Sequence, residues 1–364
     1  MKTAEIVQTT QEAQELEMPP LLILDEVQKF LDAHDLGAGD LEAVRVGGGR
    51  SNVTFRLRRD GADLILRRGP RPPLPKSTHD MIREARVQEA LGSQGFRVPT
   101  IRAVCEDESL LGVPFYVMDY IDGDIVTDTL PESYNTITSR RGLTAELVNT
   151  LLKLHSVDVT HPEVGALGRP EGYLERQVQR FTQLWPINTQ RDVPLVDELS
   201  GVLSKYLPET QQHSVIHGDY RMGNVMYRQV SDDTRTRPEI AAVLDWEMAT
   251  LGDPLSDLGY LTATYSQGVE DGTVLDASPV TRLEGFHTRD ELVEEYAAQS
   301  SLELTSLPWY QTLALWKSAI FCEAMYTRWL RGERPGDAFA ESMEQGVPQL
   351  LNKALEYSRH IPRD

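Results

Sequence analysis

At 364 residues the chain is longer than one hydrophobic core usually serves, about 250 to 300 residues, so two lobes are expected. Its 40% apolar and 25% charged residues are those of a soluble globular protein, and a formal charge of −20 excludes a phosphate-backbone-binding surface, which needs clustered Lys and Arg; no nucleic-acid partner is expected. The only cysteines, Cys105 and Cys322, make neither a CxxC pair nor a disulfide framework, which fits a reducing cytoplasm.

The opening MKTAEIVQTTQEAQELEMPP lacks the basic and apolar regions of a secretory signal, and residues 1–23 are expected to be a mobile acidic arm. LDEVQKFLDAHDL (24–36) repeats Val27, Phe30 and Leu31 at helix spacing. LEAVRV, NVTFRLRR and DLILRRG then follow as short β-branched or aromatic runs punctuated by GGGRS and DGA, the marks of an antiparallel meander. HDMIREARVQEALGSQG (79–95) reads as an amphipathic helix with a glycine stop, and VPTIRAVCED and PFYVMDYIDG as two more strands. A first lobe over 24–121 closes there.

From 122 to 364 the pattern is mainly helical, with Leu143, Leu147, Leu151 and Leu154 on one face of 140–157 and a further helix over 173–185. NVMYRQV and EIAAVLDWE flank the polar SDDTRTRP as a hairpin. WYQTLALWKSAIFCEAMYTRWL (309–330) is apolar, but Lys317, Glu323 and Arg328 interrupt it, so a buried helix and no membrane contact is expected. Its Trp309, Tyr310, Trp316, Glu323, Tyr326 and Arg328 read as helix core, with a substrate pocket as the alternative, and 266–285 as an insertion able to act as a lid.

Two polar clusters interrupt strand-like runs: VIHGDYRMGNVMY (215–227) and VLDWEMATLGDPLSDLGYL (243–261). Phosphoryl transfer needs an aspartate to accept the hydroxyl proton, and an asparagine and a second aspartate to hold Mg²⁺ on the nucleotide phosphates. HxDxxxxN followed by an Asp ending a strand supplies all three, in Asp219, Asn224 and Asp245; singly, each is an ordinary turn residue.

HGDYRMGN and LDWEMATLGDPLSDL closely resemble the aminoglycoside phosphotransferase and choline kinase-like superfamily over roughly residues 38–330. Within it the chain looks most like the branch related to the kinase portion of acyl-CoA dehydrogenase family fusion proteins. The resemblance implies an α+β, protein-kinase-like fold: a small antiparallel-sheet lobe with one main helix, and a larger, mainly helical lobe. It implies Asp219 as catalytic base, Asn224 and Asp245 as Mg²⁺ ligands, Glu247 as a further contact through water, His217 and His155 as structural groups, and Asp257 as a brace of the catalytic loop. A helix N-terminal role serves Asp257 equally well.

GGGRSNVTF (47–55) fits a loop closing over phosphates through Gly48, Gly49, Ser51 and Asn52, although glycines between strands also make ordinary hairpins. Arg67 stands where kinases carry the phosphate-gripping lysine, Glu84 is its expected partner, and Arg68 replaces Arg67 if the register slips by one. Met118 and the backbone of Asp119 to Ile121 are expected beside the adenine.

The expected activity is ATP- and Mg²⁺-dependent transfer to a small-molecule hydroxyl, with GTP open in place of ATP and aminoglycosides, amino alcohols, sugars and hydroxyacyl-CoA thioesters open as acceptors. The alternative is a nucleotide-binding pseudokinase acting as a regulatory or interaction module, favoured by Arg67. A protein kinase is disfavoured, because the segment after DWE is short and has no APE-like ending. Nothing in the sequence sets the oligomeric state.

Overall fold

In the computed structural model, alternating apolar residues assemble a five-stranded antiparallel sheet from β1 (Ala38–Val46), β2 (Val53–Asp60), β3 (Ala62–Arg68), β4 (Ile101–Cys105) and β5 (Phe115–Asp119), in the order β1-β2-β3-β5-β4. The structure describes residues 4–47, 52–72, 79–231, 236–268, 272–276 and 278–363. The chain divides into two units, Met1–Asp122 and Gly123–Asp364.

Helices cover both faces of the first unit's sheet. Phe55, Leu57, Leu64, Leu66, Phe115 and Val117 point to one face and bury Val27 and Leu31 of α1 (Leu24–Ala33). Ile65, Tyr116 and Met118 point to the other and pack on Met81 and Ala85 of α2 (Met81–Ser93). Each fully buried Leu or Phe here contributes about 1.5–3 kcal/mol. Residues 4–23 do not form the free arm expected of an acidic start. Ile6–Val7 pairs in parallel with Leu22–Ile23, and Leu21 and Leu22 are buried in the α1 face of the core. Thr9 and Glu12 close a capping box on the short helix between them, so two apolar dipeptides outweigh the surrounding acids.

In the second unit, β6 (Ser214–Ile216) pairs with β9 (Thr250–Gly252), and β7 (Val225–Ser231) with β8 (Thr236–Val243), all antiparallel. The turn at 232–235 lies outside the described residues. Around these hairpins pack α3 (Ile137–His155), α4 (Tyr173–Asn188), α5 (Leu195–Lys205), α6 (Leu255–Thr264), α7 (Arg289–Gln299), α8 (Leu307–Leu330) and α9 (Ala338–Ser358). The indoles of Trp309 and Trp316 donate to the carbonyls of Leu203 and Val196, each at 3.0 Å, which ties α8 to α5. Trp309, Tyr310, Trp316 and Glu323 are therefore core, and the pocket alternative does not hold for them. The buried Glu323 carboxylate accepts from Arg191 at 2.7 Å and from Thr189 at 2.8 Å. Among the described residues no helix is long and apolar enough to cross a membrane.

Candidate active site

The stretch HGDYRMGN is the loop from β6 to β7, and each residue type answers a local demand. Gly218 has φ +85°, and a Cβ there would lie 2.9 Å from the Cβ of Met248, so a side chain is excluded twice over. The loop is clamped from α6: the buried carboxylate of Asp257 accepts from the backbone N–H of His217 at 2.7 Å and of Gly218 at 2.8 Å. Asp257 thus reaches back to the loop instead of capping its own helix. Just before that helix lies Asp253, whose carboxylate accepts from the Leu255 N–H and the Tyr310 hydroxyl. Burial raises the Asp253 carboxyl above its ordinary value, against those two bonds.

His217 is wholly buried and joins the two clusters. Its Nε2 donates to the Leu244 carbonyl at 2.9 Å, and its Nδ1 accepts from the Asp219 N–H at 3.2 Å, which fixes the Nε2–H tautomer. His155 lies in the core behind, its Nε2 3.5 Å from Asp257 and its Nδ1 2.8 Å from the Tyr296 hydroxyl.

Asp219 is about a quarter exposed, and Asn224 Nδ2 donates to both its carboxylate, at 2.8 Å, and its carbonyl, at 2.9 Å. With its amide nitrogen so engaged, Asn224 keeps a side-chain oxygen as an acceptor. The Leu244 N–H donates to the Asn224 carbonyl at 2.8 Å, continuing the β7–β8 ladder, so Asp245 follows directly on a rung shared with Asn224. Cα atoms across such a rung are about 5.5 Å apart. Asp245 takes a left-handed backbone, φ 66° and ψ 65°, a conformation that costs a non-glycine residue about 1 kcal/mol and recurs at functional sites. Trp246 anchors that turn from below: it is buried, stacks obliquely on His217 at 4.7 Å and donates to the Val243 carbonyl at 3.0 Å. Glu247 follows on the same turn.

This donor set suits Mg²⁺ held by one or two protein oxygens and completed by phosphates and water, and not an all-protein cage. Among the described residues no cluster of three His, Cys, Asp or Glu could hold a metal unaided.

Two residues beside Asp219 had no role in the sequence reading. Arg221 Nε lies 3.3 Å from Asp219 Oδ1. Tyr260, on α6, faces the same carboxylate; burial first, then that charge, push its phenol well above the ordinary value, so it stays a proton-bearing donor. The signal for Tyr260 was its spacing of three from Asp257, which places both on one helix face.

In the first unit, Arg67 Nε meets Glu84 at 3.0 Å, and Glu84 is buried. Strand alternation explains why Arg67 and not its neighbour does so: Arg67 shares the α2 face with Ile65, whereas Arg68 points to the opposite face. The fully buried Arg68 guanidinium donates to the carbonyls of Leu21, Leu111 and Gly69, and burial lowers it to about 10. The fallback to Arg68 is thereby corrected. Gly48, Gly49 and Ser51 lie outside the described residues. Asn52 is buried, and its side-chain oxygen meets His79 Nδ1 at 2.7 Å, so it is drawn inward. Met118 is buried, and the N–H groups of Asp119 and Tyr120 are engaged by the carbonyls of Thr100 and Asp63. The Asp119 carboxylate pairs with Arg102 at 2.6 Å. Of the backbone groups expected at the adenine edge, the N–H groups of Asp119 and Tyr120 are thus already engaged.

A family model described as a phosphotransferase enzyme family matches residues 42–292. The chain belongs to this family. It is a small-molecule kinase by family and fold. It is 32% identical over 333 residues to acyl-CoA dehydrogenase family member 11 of Gallus gallus, covering 89% of this chain and 41% of that protein. The chain thus spans less than half the length of that relative. A Ralstonia eutropha structure assigned as an aminoglycoside phosphotransferase superposes with a TM-score of 0.75 at 25% identity, covering 93% of this chain and 99% of that one. A thermostable mutant of another aminoglycoside phosphotransferase, in ternary complex with AMP-PNP and hygromycin B, shares the fold at 14% identity and a TM-score of 0.58, covering 90% of this chain and 98% of its own.

Proposed function

We propose that the chain transfers the γ-phosphate of ATP, with Mg²⁺, to a hydroxyl of a small molecule. The observation that carries this reading is the hydrogen bond from Asn224 to the Asp219 carboxylate, in a loop whose next rung leads into the strained Asp245. Asp219, oriented by Asn224, accepts the proton of the attacking hydroxyl. Asn224 and Asp245 hold the metal, with Glu247 as a further contact; bound there, the metal neutralises charge on the phosphates. Arg67, held by Glu84, supplies a permanent cation suited to bidentate contact with phosphate oxygens. The formed Arg67–Glu84 pair favours an active enzyme over a pseudokinase.

For the acceptor, the relatives named as acyl-CoA dehydrogenase family members support a hydroxyacyl-CoA thioester, ahead of the amino sugars that the neighbours' complexes with hygromycin B and kanamycin represent. A screen with γ-labelled ATP over hydroxyacyl-CoAs, amino sugars, amino alcohols and sugars tests both points. Label is expected in a hydroxyacyl-CoA. ATP binding without transfer to any member of the panel would favour the pseudokinase instead.

A further inference from the structure

A chain with 56 acidic and 36 basic residues carries, in its second unit, a cleft of about 510 Å³ lined by Arg169, Arg176 and Arg180 and by no carboxylate. Tyr173, Gln177, Gln179, Gln183 and Thr250 complete its walls, so every polar group but the arginines is neutral. Arg176 and Arg180 are four apart on α4 and share a helix face. Arg176 turns its guanidinium onto the carbonyls of Arg169 and Glu171, fixing the preceding turn. Gly168 lets that turn close on β9: a Cβ there would lie 3.0 Å from Thr250 Oγ1. Arg169 and Arg180 are exposed, and neither guanidinium has a hydrogen-bond or ion-pair partner among the described residues.

Beneath the cleft, Lys317 of α8 donates to Gln177 at 2.7 Å and packs on the Phe181 ring. Burial first, then Arg180, lower it to about 8, while Asp257 opposes the shift. Thr250 of the cleft wall pairs with Ile216, the residue before His217, so the cleft adjoins the start of the Asp219 loop. Two unneutralised guanidinium groups lining a cleft whose other walls are neutral and amide-rich suit a phosphate, which accepts from Arg in a fork.

We propose that this cleft binds a phosphate-bearing anionic group of the acceptor, with Arg169 and Arg180 as ligands and Arg176 as the positioning residue. The word acceptor rests on the phosphotransferase reading; the anion site itself does not. A cationic acceptor has no complement here.

The test uses the full chain and the variant carrying Arg169→Gln with Arg180→Gln, both exposed positions. Inorganic pyrophosphate is titrated by calorimetry without Mg²⁺, with and without saturating AMP-PNP. A pyrophosphate site that AMP-PNP does not displace is expected in the native chain, weakened at least about tenfold in the variant, the loss of one charge-assisted bond. Complete displacement by AMP-PNP, or an undisplaced site that survives in the variant, overturns the proposal. If AMP-PNP fails to bind even when Mg²⁺ is added, the phosphotransferase reading falls while the variant still decides the cleft. With the acceptor found by the screen, the variant should raise KM about tenfold for a phosphate-bearing acceptor at kcat within about twofold, and leave the KM of a phosphate-free analogue unchanged. An unchanged KM for the phosphate-bearing acceptor would overturn its assignment to the acceptor.

Discussion

The clamp on the Asp219 loop and the ion pair that holds Arg67 are built on opposite plans. Asp257 is wholly buried and bonds to two backbone N–H groups, so it fixes the course of the chain itself. Arg67 and Glu84 meet side chain to side chain, and Arg67 keeps some exposure to solvent. A backbone clamp tolerates no change of donor or acceptor, whereas a cation on a flexible stem can be lengthened, forked or shortened and still reach a phosphate. On that difference, substitutions should be tolerated at Arg67 and not at Asp257.

Breaking the strict side should have the largest effect. Asp219→Ala is expected to lower kcat at least about 10²-fold, the lower range for losing a general base, with the melting temperature little changed; full turnover would remove Asp219 from that role. Asp257→Asn comes next. Its amide oxygen can keep one of the two backbone bonds while its NH₂ faces a donor, so urea unfolding should show a loss of about 2 kcal/mol together with reduced kcat. Equal stability of variant and native chain would show that the clamp is dispensable. On the tolerant side, Arg67→Met should raise the KM for ATP about tenfold, and Arg67→Lys should recover most of that loss. If lysine recovered nothing, the guanidinium fork would be required and the contrast between the two sides would disappear.

How much of this was legible in the sequence follows the same division. The strands of the first unit and the long helices were readable because their apolar residues repeat at two and at 3.6 positions, as in Leu64–Leu66 and Leu143–Leu147. Asp219, Asn224 and Asp245 stood out because polar residues interrupt apolar strands at a meaningful spacing. Residues 4–23 were misjudged because Ile6, Val7, Leu22 and Ile23 form no periodic pattern and become a sheet only by pairing across 16 positions. The three-residue strands β6 and β9 are too short for any pattern. Tyr260 could be reached only through its spacing of three from Asp257, whereas the arginine cleft depends on packing between distant segments, which local spacing does not reveal.

The central claim is that Asn224 and Asp245 hold the divalent ion on the nucleotide, and thermal unfolding of the native chain and of Asp245→Ala, with ATP in the presence and absence of Mg²⁺, tests it most directly. A ligand at 100 times its Kd stabilises the folded state by about 2.7 kcal/mol, a shift readily seen in the melting temperature. The native chain should gain an increment from Mg²⁺ beyond that from ATP alone, and Asp245→Ala should lose that increment while folding normally. An equal Mg²⁺ increment in both proteins would contradict the account.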